Sequence, residues 1–263
     1  MKKVLISIVF FFSLGSFSNA TCLKTITTAL TDVQTCGASE TLTVKSTGSI
    51  IRSGSKAVAA NNGVGASSTT VINHGLISAT NETINMKSAS GTNKITNSGT
   101  INTAQNENDS NGTAVKVQKT DGTEIVNSGT IHGGNYAIQG LETDDITITN
   151  SGTISGNNGT APAIYLTNGT NATITNTGTI TNLRHGIRLG KAHGSFNNAT
   201  IINSGLIAGT THNNRNSIYV SDDNNVTSGF NLITKGEGHY DCLLYTSDAA
   251  DDMQCVDLGG RRI

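Results

Sequence analysis

The chain has 263 residues, a formal net charge of −1 at pH 7, no tryptophan and one proline. A net charge this close to zero favours neither nucleic acid nor an anionic membrane as a partner. Aromatic residues make up only 4% of the chain, against thirty glycines, which excludes an ordinary globular core but not a narrow aliphatic one.

Residues 1–20 have the features of a secretory signal. Two lysines at the start precede an apolar stretch over 4–17, and small residues follow at 18–20. The stretch is shorter than the roughly 20 residues of a typical membrane-spanning helix. We therefore expect export through the inner membrane and removal of the signal, with Thr21 as the mature N-terminus. Lipid anchoring at Cys22 is a weaker alternative, because threonine is a poor residue before a lipidated cysteine.

Residues 21–41 precede the clear repeats and are predicted to form an N-terminal cap. They contain Cys22 and Cys36, and two cysteines this close in an exported protein are expected to pair. Closing such a loop contributes about 3 kcal/mol on the chain-entropy model. The end turn of a solenoid needs a cover for its apolar face, which this pinned segment would supply. A redox-active pair is the alternative, but the spacing is not CxxC.

A seven-residue phrase recurs through residues 42–241, as in ITNSGTI at 95–101 and 148–154. Each copy has a β-branched residue, an asparagine two places before a glycine, and an isoleucine two places after it. A looser copy, VKSTGSI at 44–50, has Val44 and Ser46 in the first and third places. The repeated glycines are Gly48, Gly75, Gly99, Gly129, Gly152, Gly178 and Gly205. The repeated asparagines are Asn73, Asn97, Asn127, Asn150, Asn176 and Asn203.

The phrase predicts two strands joined at a sharp corner. β-Branched residues suit extended, half-buried backbone. The glycine is expected to turn the chain with a positive φ. The asparagine suits the same turn, and asparagines stacked from copy to copy are expected to form an amide ladder.

A second, weaker column follows each phrase, at Val58, Ile84, Val115, Ile138, Ile164, Ile187 and Ile218. The glycines are 23 to 30 residues apart, and such a period is typical of a solenoid. It is too short for a propeller blade, and leucine-rich repeats would need more leucines. We therefore predict an all-β, right-handed parallel β-helix of about 7–8 turns with an N-terminal cap. Variable loops are expected near 102–112, 155–162 and 208–216.

Residues 242–263 have no repeat character and read CLLYTSDAADDMQCVDLGGRRI. This text resembles the translation of a sequencing-library adapter, which predicts a non-native tail and a gene cut at or near Tyr240. Such segments are set apart from reasoning about the fold. The alternative is a genuine acidic tail with a bridge between Cys242 and Cys255.

One basic cluster is the strongest candidate for a binding site. Its members are Arg184, His185, Arg188 and Lys191. They could bind an anionic glycan, although such clusters are more often solvated.

No catalytic, cofactor-binding or metal motif is present in the sequence. The histidines lack metal-ligand spacing. The acidic pairs Asp144-Asp145 and Asp222-Asp223 have no obvious basic partner and are expected in solvated turns. The sequence therefore predicts neither a cofactor nor a metal ion.

The repeated N-S-G-T-I text after a secretory signal resembles the passenger region of bacterial autotransporters, over about residues 42–233. The resemblance implies type V secretion, with the β-helix carried outside the cell. It also implies an outer-membrane β-barrel translocator downstream, which this chain lacks. Two-partner-secreted haemagglutinins share the β-helix, but their N-P-N-type motif is missing here, where the lone proline is Pro162.

The resemblance implies one function, and the predicted β-helix fold leaves open a second from a different class. The first is a surface-exposed or secreted adhesin or stalk that contacts a host surface or a glycan through loops on a rigid scaffold. The second is a secreted β-helical polysaccharide lyase or hydrolase. An enzyme of that kind needs carboxylates, and a basic group for some reactions, on one face.

Overall fold

The computed structural model describes residues 22–60, 68–87, 91–103, 112–157, 159–190, 194, 196–209, 217–221, 231–234, 239–240 and 243–246. Several predictions fall wholly or largely outside the described residues: the signal at 1–20, most of the predicted loops at 102–112 and 208–216, Lys191, the pair at 222–223, and all but 243–246 of the tail at 242–263.

Every regular element in the described ranges is a β-strand, and no helix suited to crossing a membrane occurs there. The first strands are β1 (Thr25–Ile26), β2 (Ala29–Leu30), β3 (Gln34–Cys36), β4 (Thr41–Val44), β5 (Ser49–Arg52), β6 (Lys56–Ala60), β7 (Thr70–Asn73), β8 (Leu76–Ala79) and β9 (Glu82–Lys87). The next are β10 (Lys94–Asn97), β11 (Thr100–Thr103), β12 (Thr113–Gln118), β13 (Glu124–Asn127), β14 (Thr130–Gly133), β15 (Tyr136–Leu141), β16 (Thr147–Asn150), β17 (Thr153–Gly156), β18 (Pro162–Thr167) and β19 (Gly169–Thr170). The last are β20 (Thr173–Asn176), β21 (Thr179–Asn182), β22 (His185–Leu189), β23 (Phe196–Asn197), β24 (Thr200–Asn203), β25 (Leu206–Gly209), β26 (Ile218–Ser221), β27 (Asn231–Thr234), β28 (His239–Tyr240) and β29 (Leu243–Thr246).

Within the described residues the strands form three nine-stranded sheets and one small pair, β19-β23. Sheet 1 has the order β1-β4-β7-β10-β13-β16-β20-β24-β27, and sheet 2 has β2-β5-β8-β11-β14-β17-β21-β25-β28. Sheet 3 has the order β29-β26-β22-β18-β15-β12-β9-β6-β3. Neighbouring strands are parallel throughout. The chain visits sheets 1, 2 and 3 in turn, and one such pass is called a rung below. The predicted parallel β-helix is confirmed.

The two ends of the coil also lie in the sheets. The segment predicted as a cap carries β1, β2 and β3, which pair with β4, β5 and β6, so it forms a rung of its own. A disulfide joins Cys22 to Cys36. At the other end, β29 pairs with β26. It belongs to the segment that resembles adapter sequence, and the origin of that segment stays a prediction.

Three columns of aliphatic side chains form the core, one on the inner face of each sheet. Their members are fully buried and pair in register from rung to rung. Sheet 1 contributes Leu42, Val71, Ile95, Ile125, Ile148, Ile174 and Ile201. Sheet 2 contributes Ile50, Ile77, Ile101, Ile131, Ile154, Ile180 and Ile207. Sheet 3 contributes the predicted second column, from Val58 to Ile218. Each side chain stabilises the fold by roughly 1.5–3 kcal/mol. Because one rung buries only a few such side chains, it is stable only when packed against neighbouring rungs.

The first copy of the phrase differs from the prediction. Leu42, not Val44, pairs with Val71, and Val44 pairs with Asn73. Ser46 therefore lies in the corner and not in the asparagine column. The corner before Gly48 is two residues longer than later ones, and Ile50 is back in register with Ile77. A shift of two residues preserves the alternation of a strand, which keeps both Leu42 and Val44 buried.

The repeated glycines are needed for close approach and not for a left-handed backbone, so the predicted positive φ is wrong. Within the described chain the glycines with positive φ are Gly91, Gly122, Gly190 and Gly194, none of them in the phrase. A Cβ on Gly152 would overlap the carbonyl oxygen of Gly129 in the previous rung. That oxygen accepts a hydrogen bond from the Thr153 N–H at 2.8 Å. The corners stack so tightly that only hydrogen fits at this position.

The asparagines form a buried ladder at the ends of the sheet 1 strands. They are fully buried at the ends of their strands, and each Nδ2 donates to the carbonyl of the glycine two residues later, as expected of a turn residue. The expected ladder is also present. Each Nδ2 donates to the Oδ1 of the next asparagine at 2.7–2.8 Å, from Asn73 through Asn97, Asn127, Asn150 and Asn176 to Asn203. The same Nδ2 also reaches backbone carbonyls in its own corner and in the next rung. The ladder thereby satisfies polar atoms that the corner would otherwise bury unpaired.

Candidate binding face on sheet 3

The outer face of sheet 3 differs from the rest of the coil because aromatic and charged side chains gather on it. The residue after each second-column aliphatic lies on this face and pairs in register with its counterparts. These residues are Ala59, Asn85, Lys116, Gln139, Tyr165, Arg188 and Tyr219. A second outer row lies two places before the aliphatic, at Lys56, Glu82, Thr113, Tyr136, Pro162 and His185.

Two outer rows exist because the alternation breaks at the start of each sheet 3 strand. The residue just before the aliphatic is small or short and buried, as at Ala57, Thr83, Ala114, Ala137, Ala163 and Gly186. Two consecutive residues thus face inward. Residues of the first row contact residues of the second row in the adjacent rung, as in Glu82–Lys116 and Tyr136–Tyr165.

An aromatic stack with an arginine inside it runs along this face. The rings of Tyr136 and Tyr165 stack with centroids 5.4 Å apart, and those of His185 and Tyr219 stack at 4.9 Å. The guanidinium of Arg188 lies between the two pairs, 5.5 Å from the Tyr165 ring and 5.3 Å from the Tyr219 ring. We call these five residues the ring stack. A cation–π contact of a guanidinium that is shielded from water contributes about 2 kcal/mol or more to stability.

Most of the ring stack is covered. Tyr165 is 3% exposed, His185 2% and Arg188 9%, and the Nε of Arg188 is buried with no hydrogen-bond partner among the described residues. Tyr136 and Tyr219 are half-buried. The stack therefore acts as a packed support for Tyr136 more than as an open surface.

The predicted basic cluster is only partly brought together. His185 and Arg188 lie in β22 and join the ring stack. Arg184 lies at the corner before β22, and its Nη1 donates to the backbone carbonyl of Thr160. Lys191 is outside the described residues. The anionic-ligand patch stays a prediction.

A polar cleft of about 460 Å³ opens beside Tyr136, at the corner where the chain enters sheet 3. Its volume is within the usual range for ligand sites. The lining residues are Ser55, Asn81, Glu82, Thr113, Lys116, Asn135, Tyr136 and Gln139. They come from consecutive rungs, from the corner before β6 to β15.

An ion pair lies at the centre of the cleft. Lys116 Nζ is 2.6 Å from Glu82 Oε1, and Lys56 Nζ is 3.9 Å from Oε2. The amide of Asn85 donates to the same carboxylate. Partial burial acts to raise the pKa of Glu82, but the hydrogen bond and charge of Lys116, the Asn85 amide and the charge of Lys56 together hold it below 4.5. Glu82 is therefore ionised at neutral pH.

The hydroxyl of Tyr136 stays protonated at neutral pH. Burial, and then the nearby Tyr165, raise the pKa of Tyr136 above 10.0, while the charges of Arg188 and Arg184 oppose this rise. The phenol can donate one hydrogen bond and accept others.

The acidic pair at Asp144 and Asp145 lies at the other edge of sheet 3, after β15 ends. Asp144 Oδ1 accepts hydrogen bonds from the N–H of Thr170 at 2.7 Å and from its hydroxyl at 3.0 Å. Asp145 Oδ1 accepts one from the Asn171 amide at 3.0 Å. Both carboxylates therefore form hydrogen bonds between one rung and the next. Among the described residues no group of three or more His, Cys, Asp or Glu is placed to hold a metal ion.

Strand pairing, buried columns and ladder together place the chain in the class of parallel β-helix solenoids. No protein-family model, curated protein or solved structure matches it.

Proposed function

We propose that the protein is exported and acts at a cell surface or in the medium as an attachment protein, of the adhesin or stalk type that the passenger resemblance implies. The predicted secretory signal supports export, and the β-helix supports a rigid scaffold. The observation that best supports attachment is the outer face of sheet 3, where the ring stack borders an open polar cleft. Aromatic rings beside polar groups are typical of recognition sites.

The cleft favours binding over hydrolysis of a polysaccharide. Most glycosidases need two carboxyl groups that flank the scissile bond. The lining of the cleft contains one carboxylate, Glu82, and this group is ion-paired with Lys116. Asp144 and Asp145 bond to the following rung at the opposite edge of the sheet.

Attachment can be tested with beads that carry the full chain. Beads are incubated with cultured animal cells and with polysaccharide-coated surfaces, and retention is counted against beads that carry an unrelated protein. We expect selective retention. Retention no greater than that of the control beads would refute attachment, and release of reducing ends or unsaturated uronates from the coatings would instead establish the enzyme.

Export has a separate test. The full chain is expressed in a Gram-negative host, and the N-terminus of the protein recovered outside the cytoplasm is sequenced. A start at Thr21 is expected. Retention of residues 1–20 in a cytoplasmic product would contradict export.

A further inference from the structure

We infer that the cleft beside Tyr136 binds a neutral saccharide, with the ring of Tyr136 as the surface on which a sugar lies. The inference rests on the proposed attachment function and gives it a site and a class of ligand. None of the described residues of the predicted anionic patch lines this cleft, and Arg188 of that patch reaches it only through Tyr165, on which Tyr136 stacks.

The lining matches the chemistry of a sugar. A pyranose presents hydroxyls around its edge and C–H groups on its faces. Asn81, Asn135 and Gln139 supply amides, and Ser55 and Thr113 supply hydroxyls. The side-chain amide of Gln139 forms no hydrogen bond within the described part of the chain, which leaves its donors and acceptor for a ligand.

The charge of the lining favours a neutral ligand over an acidic one. Glu82 and Lys116 are the charged residues of the lining, and they pair with each other at 2.6 Å. A carboxylated sugar would compete with Glu82 for Lys116 and would meet the negative charge of Glu82. Neutral hydroxyls can bond to either member of the pair without separating them, and hydrogen bonds to charged groups are the stronger kind.

Tyr136 is held in place by residues that do not line the cleft. Its ring stacks on Tyr165, and Tyr165 in turn packs against the Arg188 guanidinium. Because Tyr165 and Arg188 are almost fully buried, the platform is fixed before a ligand arrives, which lowers the entropic cost of binding. Tyr165 and Arg188 are positioning residues.

The test uses the full chain and an array of neutral gluco-, galacto- and manno-oligosaccharides beside uronate- and sialate-containing ones. We expect binding to members of the neutral set. Affinities for the best neutral oligosaccharide are then measured by titration calorimetry. Tyr136→Ala should weaken binding about tenfold or more, and Tyr136→Phe by about threefold, since it keeps the ring.

A matched amide pair controls for effects on folding. Gln139→Ala should weaken binding about threefold to tenfold. Gln118→Ala, at a half-buried position of β12 outside the cleft, should leave binding unchanged. Far-UV circular dichroism and thermal unfolding establish that both variants fold, so a difference between them reports on the site.

The outcomes separate the inference from the proposed function. If beads attach to cells but Tyr136→Ala and Gln139→Ala bind as the wild type does, attachment uses another surface and the inference is wrong. Binding to the carboxylated oligosaccharides alone, lost in Arg184→Ala, also overturns it and favours the anionic patch. Absence of both array binding and cell attachment removes the proposed function as well.

Discussion

The side-chain amide of Asn127 donates a hydrogen bond of 2.8 Å to Oδ1 of Asn150, 23 residues later in the chain. The two hydrogens of the amide nitrogen are shared with two longer contacts, to the carbonyls of Gly129 at 3.2 Å and Thr153 at 3.1 Å. Asn127 Oδ1 in turn accepts from Asn97. One buried amide thus connects three rungs.

Asn127→Asp tests this connection with almost no change of shape. The substitution places a carboxylate oxygen against three acceptor oxygens in a buried site. We expect a loss of about 3 kcal/mol or more at pH 7 in chemical denaturation. The loss should shrink as the pH falls toward about 4, the ordinary pKa of Asp, because a protonated carboxyl can donate again. Thr149→Ala, at an exposed position of β16, should change stability by less than about 0.5 kcal/mol. Equal stability of Asn127→Asp and wild type at pH 7 would refute a structural ladder.

Gly152→Ala tests the close approach of the corners. Its Cβ would overlap backbone atoms of Ser128 and Gly129, so we expect about 3 kcal/mol or more of destabilisation, or failure to fold. Gly122→Ala is the matched control, because Gly122 has φ +67° and a Cβ there would meet, among the described residues, only Thr92 Oγ1, at an ordinary contact distance of 3.8 Å. That change should cost only about 1 kcal/mol. If thermal unfolding shows Gly122→Ala to be the more harmful change, backbone conformation and not space governs the corners.

The ion pair in the cleft predicts a pH dependence. Because the folded pKa of Glu82 is lowered, its stabilising contribution is present above the unfolded value of about 4.5 and is lost as the pH falls through the folded pKa. Glu82→Gln should be less stable than wild type at pH 7 by on the order of 1 kcal/mol, given partial solvent screening. The two proteins should converge once the pH lies below the folded pKa of Glu82. A stability difference that does not depend on pH would show that the charge of Glu82 is not responsible.

Removal of the disulfide between Cys22 and Cys36 tests the first rung. Replacing Cys22 and Cys36 by serine should lower the free energy of unfolding by about 3 kcal/mol. Hydrogen exchange should increase most in β1 to β3 and least near β13. Uniform loss of protection along the coil would mean that the bond stabilises the whole solenoid and not one end.

Much of the interior could be predicted from the sequence. The columns through Ile101 and Ile138 follow from repeated residues at fixed spacing, since a buried column requires the same chemistry in every rung. The register at Leu42 could not be predicted, because a corner two residues longer keeps the same alternation. The sequence also could not show why glycine occupies the corners, because a close approach of backbones and a positive φ both require glycine.

The outer face of sheet 3 escaped prediction for a different reason. Glu82 and Lys116 are 34 residues apart, and Tyr136 and Tyr165 belong to segments with different loop lengths. Outer residues differ from rung to rung, so no repeat reveals them. The outer residues do have a fixed position in the sequence, two places before and one place after each second-column aliphatic residue. That position can be interpreted only once the break in alternation is known.

The contacts at the corners have a consequence for how such a coil changes over evolutionary time. Each rung offers the next the same glycine carbonyl and the same amide, so a duplicated or deleted rung meets a surface it already fits. Unequal recombination between repeats can therefore lengthen or shorten the rod in steps of about 4.8 Å. The spacing between the cleft and either end could be reset in this way without a single compensating substitution in the core.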